Sequence, residues 1–292
     1  MHFVHSLAWF RRRPARILLP IAGGAGPAAN GLHGSDDSTD QAAVQIGILT
    51  KGKPTLGMVL VSLLLQEMHD ISIHIVDTSE SPVVRRDDVV FALRLAFDRG
   101  IQCTYEYSRE RERAFSVGRL KLLESLRGRH VCFMDDDVVF ASSTLPRLLR
   151  QARSVGEYGY VAPTCRNAGM PGGALGGRTH YGPGGIFYQD EMVRAILLEY
   201  YSTTVDVLDR KKARAKVWEI AFLTELFDAL GRPYFVQADN VCYHLDYSER
   251  PNWDLADTAL LRNSLLKAGE LVAKYSPQLP ASTLGTPPTG HG

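Results

Sequence analysis

The chain has 292 residues, of which 45% are hydrophobic, and it carries a formal net charge of +1. The length and apolar content suffice for a substantial core, while the near-neutral charge excludes a strong electrostatic attraction to nucleic acid or to an anionic membrane. The four cysteines form no CxxC pair, which predicts a reduced, cytoplasmic protein without a thiolate metal site.

The first 43 residues are predicted to form a disordered extension. A basic stretch followed by the apolar run ILLPIAGGAG leaves a poor export signal as the alternative. The same run matches the spacing of a dinucleotide-binding glycine turn at Gly24, Gly26 and Ala29. Such a turn needs a preceding strand, which Pro20 interrupts, so the sequence disfavours a dinucleotide site here.

Residues 44–275 are predicted to form one domain in which strands and helices alternate. Four apolar runs have the length and composition of buried strands, and these are VQIGIL, ISIHIV, IQCTYEY and HVCFM. Amphipathic runs between them predict helices, so we expect an α/β fold with a mostly parallel sheet and helices on both faces. Ligands of such sheets bind beyond the carboxyl ends of the strands, where Thr50, Asp77 and Asp135 fall.

The second half of the domain has a less regular pattern. The predicted elements are a helix at SSTLPRLLRQARSVG, a strand at YGYVAP, a strand passing into a helix at IFYQDEMVRAILLEYY, a helix at KVWEIAFLTELFDALG, strands at YFVQ and NVCYHL, and a closing helix at DLADTALLRNSLLKAGELVAKY. Residues 172–185 are predicted to form a mobile glycine-rich loop. Residues 276–292 are predicted to be a disordered tail, and no apolar run is long enough to span a bilayer.

Three consecutive acids, Asp135, Asp136 and Asp137, follow the fourth predicted strand. Three carboxylates cannot lie side by side in an apolar interior without cations or several hydrogen-bond donors. A helix cap and a solvated loop explain one such acid well but three poorly. Either the strand therefore ends at a solvent-exposed edge of the sheet, or a positively charged group lies beside the three acids.

An ordered set of short motifs resembles the family-2-type glycosyltransferases of the GT-A fold. The motifs are LTKGKP, SLLLQ, IVDTS, FMDDDV, the pair Trp218–Glu219, LGRPYFVQADNVCYH and RNSLLK. The resemblance covers roughly residues 45 to 275. It implies a single Rossmann-like GT-A domain whose irregular second half receives the acceptor.

The resemblance also implies an activity, namely the metal-dependent, inverting transfer of a sugar from a nucleoside diphosphate sugar to the hydroxyl of a glycan, a lipid-linked acceptor or a small molecule. Mn²⁺ or Mg²⁺ would stabilise the leaving diphosphate. It implies no nucleic-acid partner and leaves peripheral membrane contact open. Two alternatives remain, a noncatalytic nucleotide-sugar-binding protein of the same fold and a sugar nucleotidyltransferase.

By the same resemblance, the metal is bound by Asp135, Asp137 and His244. Asp135 could contact the ribose of the donor instead of, or as well as, the metal. Asp136 would help to bind the sugar or would simply cap the turn. A structural role is the alternative for His244, as for any single histidine in a strand.

The remaining donor contacts implied are Thr50, Lys53, Asp77 and Arg119. Asp77 would accept a hydrogen bond from the nucleotide base, and its alternative is an Asx turn after a strand. Arg119 would face the diphosphate, and its alternative is an exposed arginine on a helix.

The catalytic base is the position at which the sequence departs from the family pattern. The family carries a Glu-Asp pair at the start of a late helix, and its second acid usually deprotonates the acceptor. Glu219 aligns with the first acid and Ile220 with the second, or, after a shift of one residue, Trp218 and Glu219 align with the pair. Glu219 is therefore the predicted base, with Glu225 and Asp190 as weaker candidates and an ordinary acid in the first turn of a helix as the structural alternative.

Overall fold

The computed structural model describes residues 17–18, 42–110, 114–167, 184–203, 215–245 and 258–276. The strands within these ranges are β1 Ile17–Leu18, β2 Val44–Thr50, β3 Ile71–Asp77, β4 Gln102–Tyr107, β5 His130–Asp135, β6 Val138–Phe140, β7 Tyr160–Asn167, β8 Ile186–Tyr188 and β9 Tyr234–His244. The helices are α1 Leu56–Leu64, α2 Asp87–Asp98, α3 Ala114–Ser125, α4 Thr144–Val155, α5 Glu191–Thr203, α6 Ala215–Ala229 and α7 Thr258–Tyr275. The strands form one sheet in the order β1-β4-β3-β2-β5-β8-β7-β9-β6.

The first half of the domain is a parallel block made by β4, β3, β2 and β5. Its register places Thr50 opposite Asp77 and Leu49 opposite Asp135. The three polar residues predicted at strand ends therefore lie along one edge of the sheet. The predicted α/β class with parallel strands flanked by helices is confirmed.

The second half of the sheet is mixed. Strand β8 is antiparallel to both β5 and β7, whereas β9 is parallel to β7 and antiparallel to β6. The prediction of two separate strands at YFVQ and NVCYHL was wrong, because β9 runs without a break through both. Its register with β7 shifts between Pro163 and Thr164, and this irregularity accommodates the residues between the two predicted strands.

Two apolar layers cover the two faces of the sheet. One layer packs α1, α2 and α4 against the sheet, and the other packs α3, α5, α6 and α7 against the opposite face. Strand β5 supplies both layers by its alternation, because Cys132 and Met134 join the first layer while Val131 and Phe133 join the second. Within the described ranges, no helix is both long enough and apolar enough to cross a membrane.

Within the predicted N-terminal extension, the described residues are Ile17 and Leu18, which pair antiparallel with β4, and Ala42 and Ala43, which lead directly into β2. The other residues of the extension, the predicted tail beyond Ser276 and most of the predicted glycine-rich loop, residues 168–183, lie outside the described ranges.

Helix α3 approaches strand β2 closely at Gly118, which lies beside Leu49, the residue before Thr50. A Cβ atom added at Gly118 would overlap the side chain of Leu49. We expect Gly118→Ala to lower the free energy of unfolding by about 1–2 kcal/mol, because the methyl group overpacks this contact. Urea unfolding followed by circular dichroism measures the change.

Gly269 in α7 provides the matched control for this substitution. An added Cβ there meets no atom within 4 Å, so Gly269→Ala should raise stability by about 0.5–1 kcal/mol through helix propensity alone. Equal gains in stability for the two variants would contradict the close approach of α3 to β2.

Candidate functional site

The turn between β5 and β6 contains the acidic triplet. Asp135 ends β5, while Asp136 and Asp137 form the two-residue turn that leads into β6. The exposed fraction is 4% for Asp136 and 0% for Asp137, and Asp135 is partly exposed. Carboxylates buried to this extent need a cation or hydrogen-bond donors around them.

The structure brings together the three residues predicted to bind a metal. Strand β6 pairs with β9 so that Val138 lies opposite His244, which places the imidazole beside the turn. Asp135, Asp137 and His244 each offer a ligand atom, and these atoms lie within 4.8 Å of one another. His244 Nε2 is 3.4 Å from Asp137 Oδ1.

The polar atoms of this cluster fit a divalent cation. Among the described residues, Asp137 Oδ1 and His244 Nδ1 are buried and have no hydrogen-bond partner. A buried carboxylate oxygen without a donor is rare in folded proteins and indicates an additional ligand. Two carboxylates and one imidazole form a donor set that suits Mn²⁺, and the oxygen atoms also suit Mg²⁺.

Asp136 contacts the segment between β2 and α1. Its Oδ2 accepts a hydrogen bond from Thr50 Oγ1 at 2.7 Å, and its carbonyl oxygen accepts one from Thr55 Oγ1 at 2.7 Å. These bonds hold the acidic turn and residues 51–55 together. Asp136 therefore fixes the loop that carries Lys53, while Asp135 and Asp137 supply the candidate metal ligands.

Lys53 extends from this loop to the acidic turn and forms an ion pair with Asp137 Oδ2. The loop itself is held by Arg86, whose guanidinium group donates to the carbonyl oxygens of Gly52, Lys53 and Pro54. Lys53 was predicted to contact the donor, and the structure places its ammonium group on the acid that would bind the metal.

Asp77 is fully buried and lies in the Asx turn that was one of its two predicted roles. Its Oδ1 accepts from the backbone N–H of Ser79 at 2.8 Å, and its Oδ2 accepts from the N–H of Val83 at 2.7 Å and from the hydroxyl of Tyr105 at 2.6 Å. Burial, together with the hydrogen bond to Asp77, raises the pKa of Tyr105, so this hydroxyl remains a donor. Contact between Asp77 and a nucleotide base stays a prediction.

Arg119 and Glu219 form a second charged centre beside the triplet. Arg119 Nε lies 2.7 Å from Glu219 Oε1 and Nη2 lies 2.9 Å from Oε2, and the hydroxyl of Tyr201 also donates to Glu219. Arg119 is only 2% exposed and Glu219 only 5%. Arg119 is therefore not an exposed helix arginine, and the carboxylate predicted as the base is held by a bidentate ion pair.

The protonation states of this centre follow from its charges. Burial disfavours the charged form of Arg119, but the carboxylate of Glu219, with smaller contributions from Tyr201 and Asp135, outweighs burial and raises the pKa of Arg119. Burial, with the charge of Glu219, likewise raises the pKa of Tyr201, so Tyr201 donates as a neutral phenol. The guanidinium carbon lies 4.4 Å from the centroid of the Phe133 ring, which adds a cation–π contact.

Four residues of the site were not identified from the sequence, namely Thr55, Arg86, Tyr105 and Tyr201. Each contributes through a contact with a residue that is distant in the chain, so no local spacing marks it.

Asp190 was a weaker candidate for the catalytic base. Its carboxylate accepts a hydrogen bond from the backbone N–H of Val193 at 2.8 Å and pairs with Arg232. It therefore caps helix α5.

Removing the charge of Glu219 should destabilise the protein. Glu219→Gln leaves the buried guanidinium group of Arg119 without its counter-ion, and we expect a loss of about 2–4 kcal/mol in the free energy of unfolding. Glu225→Gln, on the same helix at a partly exposed position, is the matched control and should change stability by less than about 0.5 kcal/mol. Chemical denaturation measures both variants, and equal stabilities would show that the ion pair does not form.

No family model and no curated protein matches the sequence, whereas solved structures match the fold. S. aureus TarS matches with a TM-score of 0.51 at 13% sequence identity, over 80% of this chain and 42% of the TarS chain. TarS 1–349 in complex with UDP gives 0.52 at 13% identity, over 80% and 70% of the two chains. TarS 1–349 with UDP-GlcNAc gives 0.51 at 12% identity, over 80% and 71%. The chain thus spans less than half of the longer TarS chain, and the likeness establishes that its fold is the GT-A glycosyltransferase fold.

Proposed function

We propose that the protein transfers a sugar from a nucleoside diphosphate sugar to an acceptor hydroxyl, with a divalent cation held by Asp135, Asp137 and His244. The observation that carries the proposal is the convergence of these three side chains at the carboxyl edge of the parallel strands, with a buried Asp137 oxygen that lacks a partner among the described residues. The TarS structures that share this fold contain UDP and UDP-GlcNAc, which supports a donor of this class.

The charges at the strand edge suit the departure of a diphosphate. In the proposed reaction, the acceptor oxygen forms a bond to the anomeric carbon while the bond from that carbon to the diphosphate breaks on the opposite face, which inverts the carbon. A bound Mn²⁺ or Mg²⁺ would neutralise the negative charge left on the diphosphate. Lys53 adds a positive group on Asp137, and Arg119 adds one close enough to interact with Asp135.

We assign the nucleoside of the donor to the part of the edge formed by Thr50 and Asp77. Asp77 Oδ2 already accepts two hydrogen bonds and Oδ1 accepts one. Since each carboxylate oxygen has two acceptor positions, Oδ1 retains one for an N–H group of the base. Asp136 supports this region through its bond from Thr50.

Glu219 remains the proposed base, and its surroundings define what that role requires. A general base must be within hydrogen-bond reach of the acceptor hydroxyl. Glu219 Oε1 accepts from Arg119 and Tyr201, whereas Oε2 accepts only the second bond from Arg119 in the described part of the chain, so Oε2 is the oxygen that would receive the proton of the acceptor hydroxyl.

The same contacts favour a second candidate function, a noncatalytic nucleotide-sugar-binding protein. In that case Glu219 serves only to hold Arg119 in place, and the donor pocket operates without proton transfer. This chain has one acid, Glu219, where the family that it resembles carries two, and the missing second acid also fits this alternative.

Metal-dependent binding tests the proposed function. We expect UDP or GDP to raise the melting temperature in the presence of Mn²⁺ and not after chelation with EDTA, because a ligand of the folded state stabilises it by mass action. Asp137→Asn should abolish this metal-dependent shift and reduce transfer by about 100-fold or more. Asp239→Asn, an exposed acid on β9, is the matched control and should behave like the wild type.

The same samples separate the two functions. Release of UDP or GDP from a nucleotide sugar in the presence of Mn²⁺ supports the transferase, whereas binding without turnover across a panel of hydroxyl acceptors supports the noncatalytic binder. Nucleotide binding that is unaffected by EDTA and by Asp137→Asn would refute the metal site on which the proposal depends.

A further inference from the structure

The acidic turn contains a positive charge of its own. Asp137 is fully buried and uses its two carboxylate oxygens differently, because Oδ2 is paired with Lys53 and Oδ1 lies beside His244. With all four groups ionised, the three carboxylates of Asp135, Asp136 and Asp137 and the single ammonium group of Lys53 sum to a charge of −2. One divalent cation neutralises that charge.

The position of Lys53 is fixed by its loop and is not a chance contact of a long side chain. Arg86 donates to three consecutive carbonyl oxygens of the loop, beginning at Gly52. Thr55, at the other end of the loop, donates to the backbone of Asp136. The side chain of Lys53 is 27% exposed, so it is partly buried between the loop and the acidic turn.

We propose that Lys53 is a resident counter-cation that weakens the binding of a divalent ion to the acidic cluster until a nucleoside diphosphate is present. This inference rests on the proposed function, since it concerns the same metal and the same class of nucleotide. It assigns to Lys53 control over the metal in addition to contact with the donor.

Electrostatics supplies the mechanism. An ammonium group on one oxygen of Asp137 repels a divalent ion bound at the other oxygen, and it withdraws part of the negative charge that attracts that ion. A diphosphate brings negative charge to the same edge and offsets the repulsion between the two cations. Metal and nucleotide then bind cooperatively, and the coupling acts equally in both directions.

Titration calorimetry with MnCl₂ alone provides the first test. We expect Lys53→Met to bind Mn²⁺ on the order of tenfold more tightly than the wild type when no nucleotide is present. Lys121→Met is the matched control, because Lys121 is also paired with a carboxylate, that of Glu106, and its side chain is 28% exposed. This control should retain the Mn²⁺ affinity of the wild type.

A second titration in the presence of saturating UDP measures the coupling. The factor by which UDP tightens Mn²⁺ binding should be large in the wild type and in Lys121→Met, and it should fall in Lys53→Met. If Lys53→Met does not fold, Lys53→Gln replaces it, because its amide can still donate to Asp137 while the charge is absent.

The outcomes separate the two proposals. Unchanged or weaker Mn²⁺ binding in the neutral variants, or an equal gain in Lys121→Met, overturns the role of Lys53 and leaves the proposed function standing. Failure of the wild type to bind Mn²⁺ both with and without UDP overturns both proposals.

Discussion

The concentration of negative charge at the end of β5 is the constraint on which the rest of the site depends. Two of its three carboxylates are buried, and each must find compensation where water is excluded. Asp136 finds it in the hydroxyl of Thr50, and Asp137 in the ammonium group of Lys53. The backbone of Asp137 also accepts from the N–H of Leu245 at 2.8 Å, so the acids join the early loop and the last strand at one point.

A second buried charge pair fixes the geometry of the site beside the acidic turn. The bidentate pair between Arg119 and Glu219 joins α3 to α6, two helices of the second apolar layer. A buried ion pair contributes little net free energy compared with apolar packing, because desolvation offsets the attraction. It does fix the orientation of the guanidinium group near Asp135, and this orientation is what a site for an anionic ligand requires.

The sequence predicted the positions of the site residues better than their contacts. Parallel strands bring their carboxyl ends to one edge, so locating four strands was enough to place Thr50, Asp77 and Asp135 together. The pair of Lys53 with Asp137 and that of Arg119 with Glu219 could not be predicted in the same way. These pairs join residues that are 84 and 100 positions apart, and side-chain partners at such separations leave no periodic signal in the sequence.

The pairing of β6 with β9 has a consequence for how the protein matures. Strand β6 is only three residues long, and its partner enters the sheet late in the chain. Closing so long a segment of chain carries an entropic penalty that must be met before the contact stabilises anything. During synthesis the parallel block and the acidic turn emerge before His244, because they precede it in the chain. The candidate cation site is complete only when the C-terminal half docks, so a cation held by these three residues would be bound late in folding.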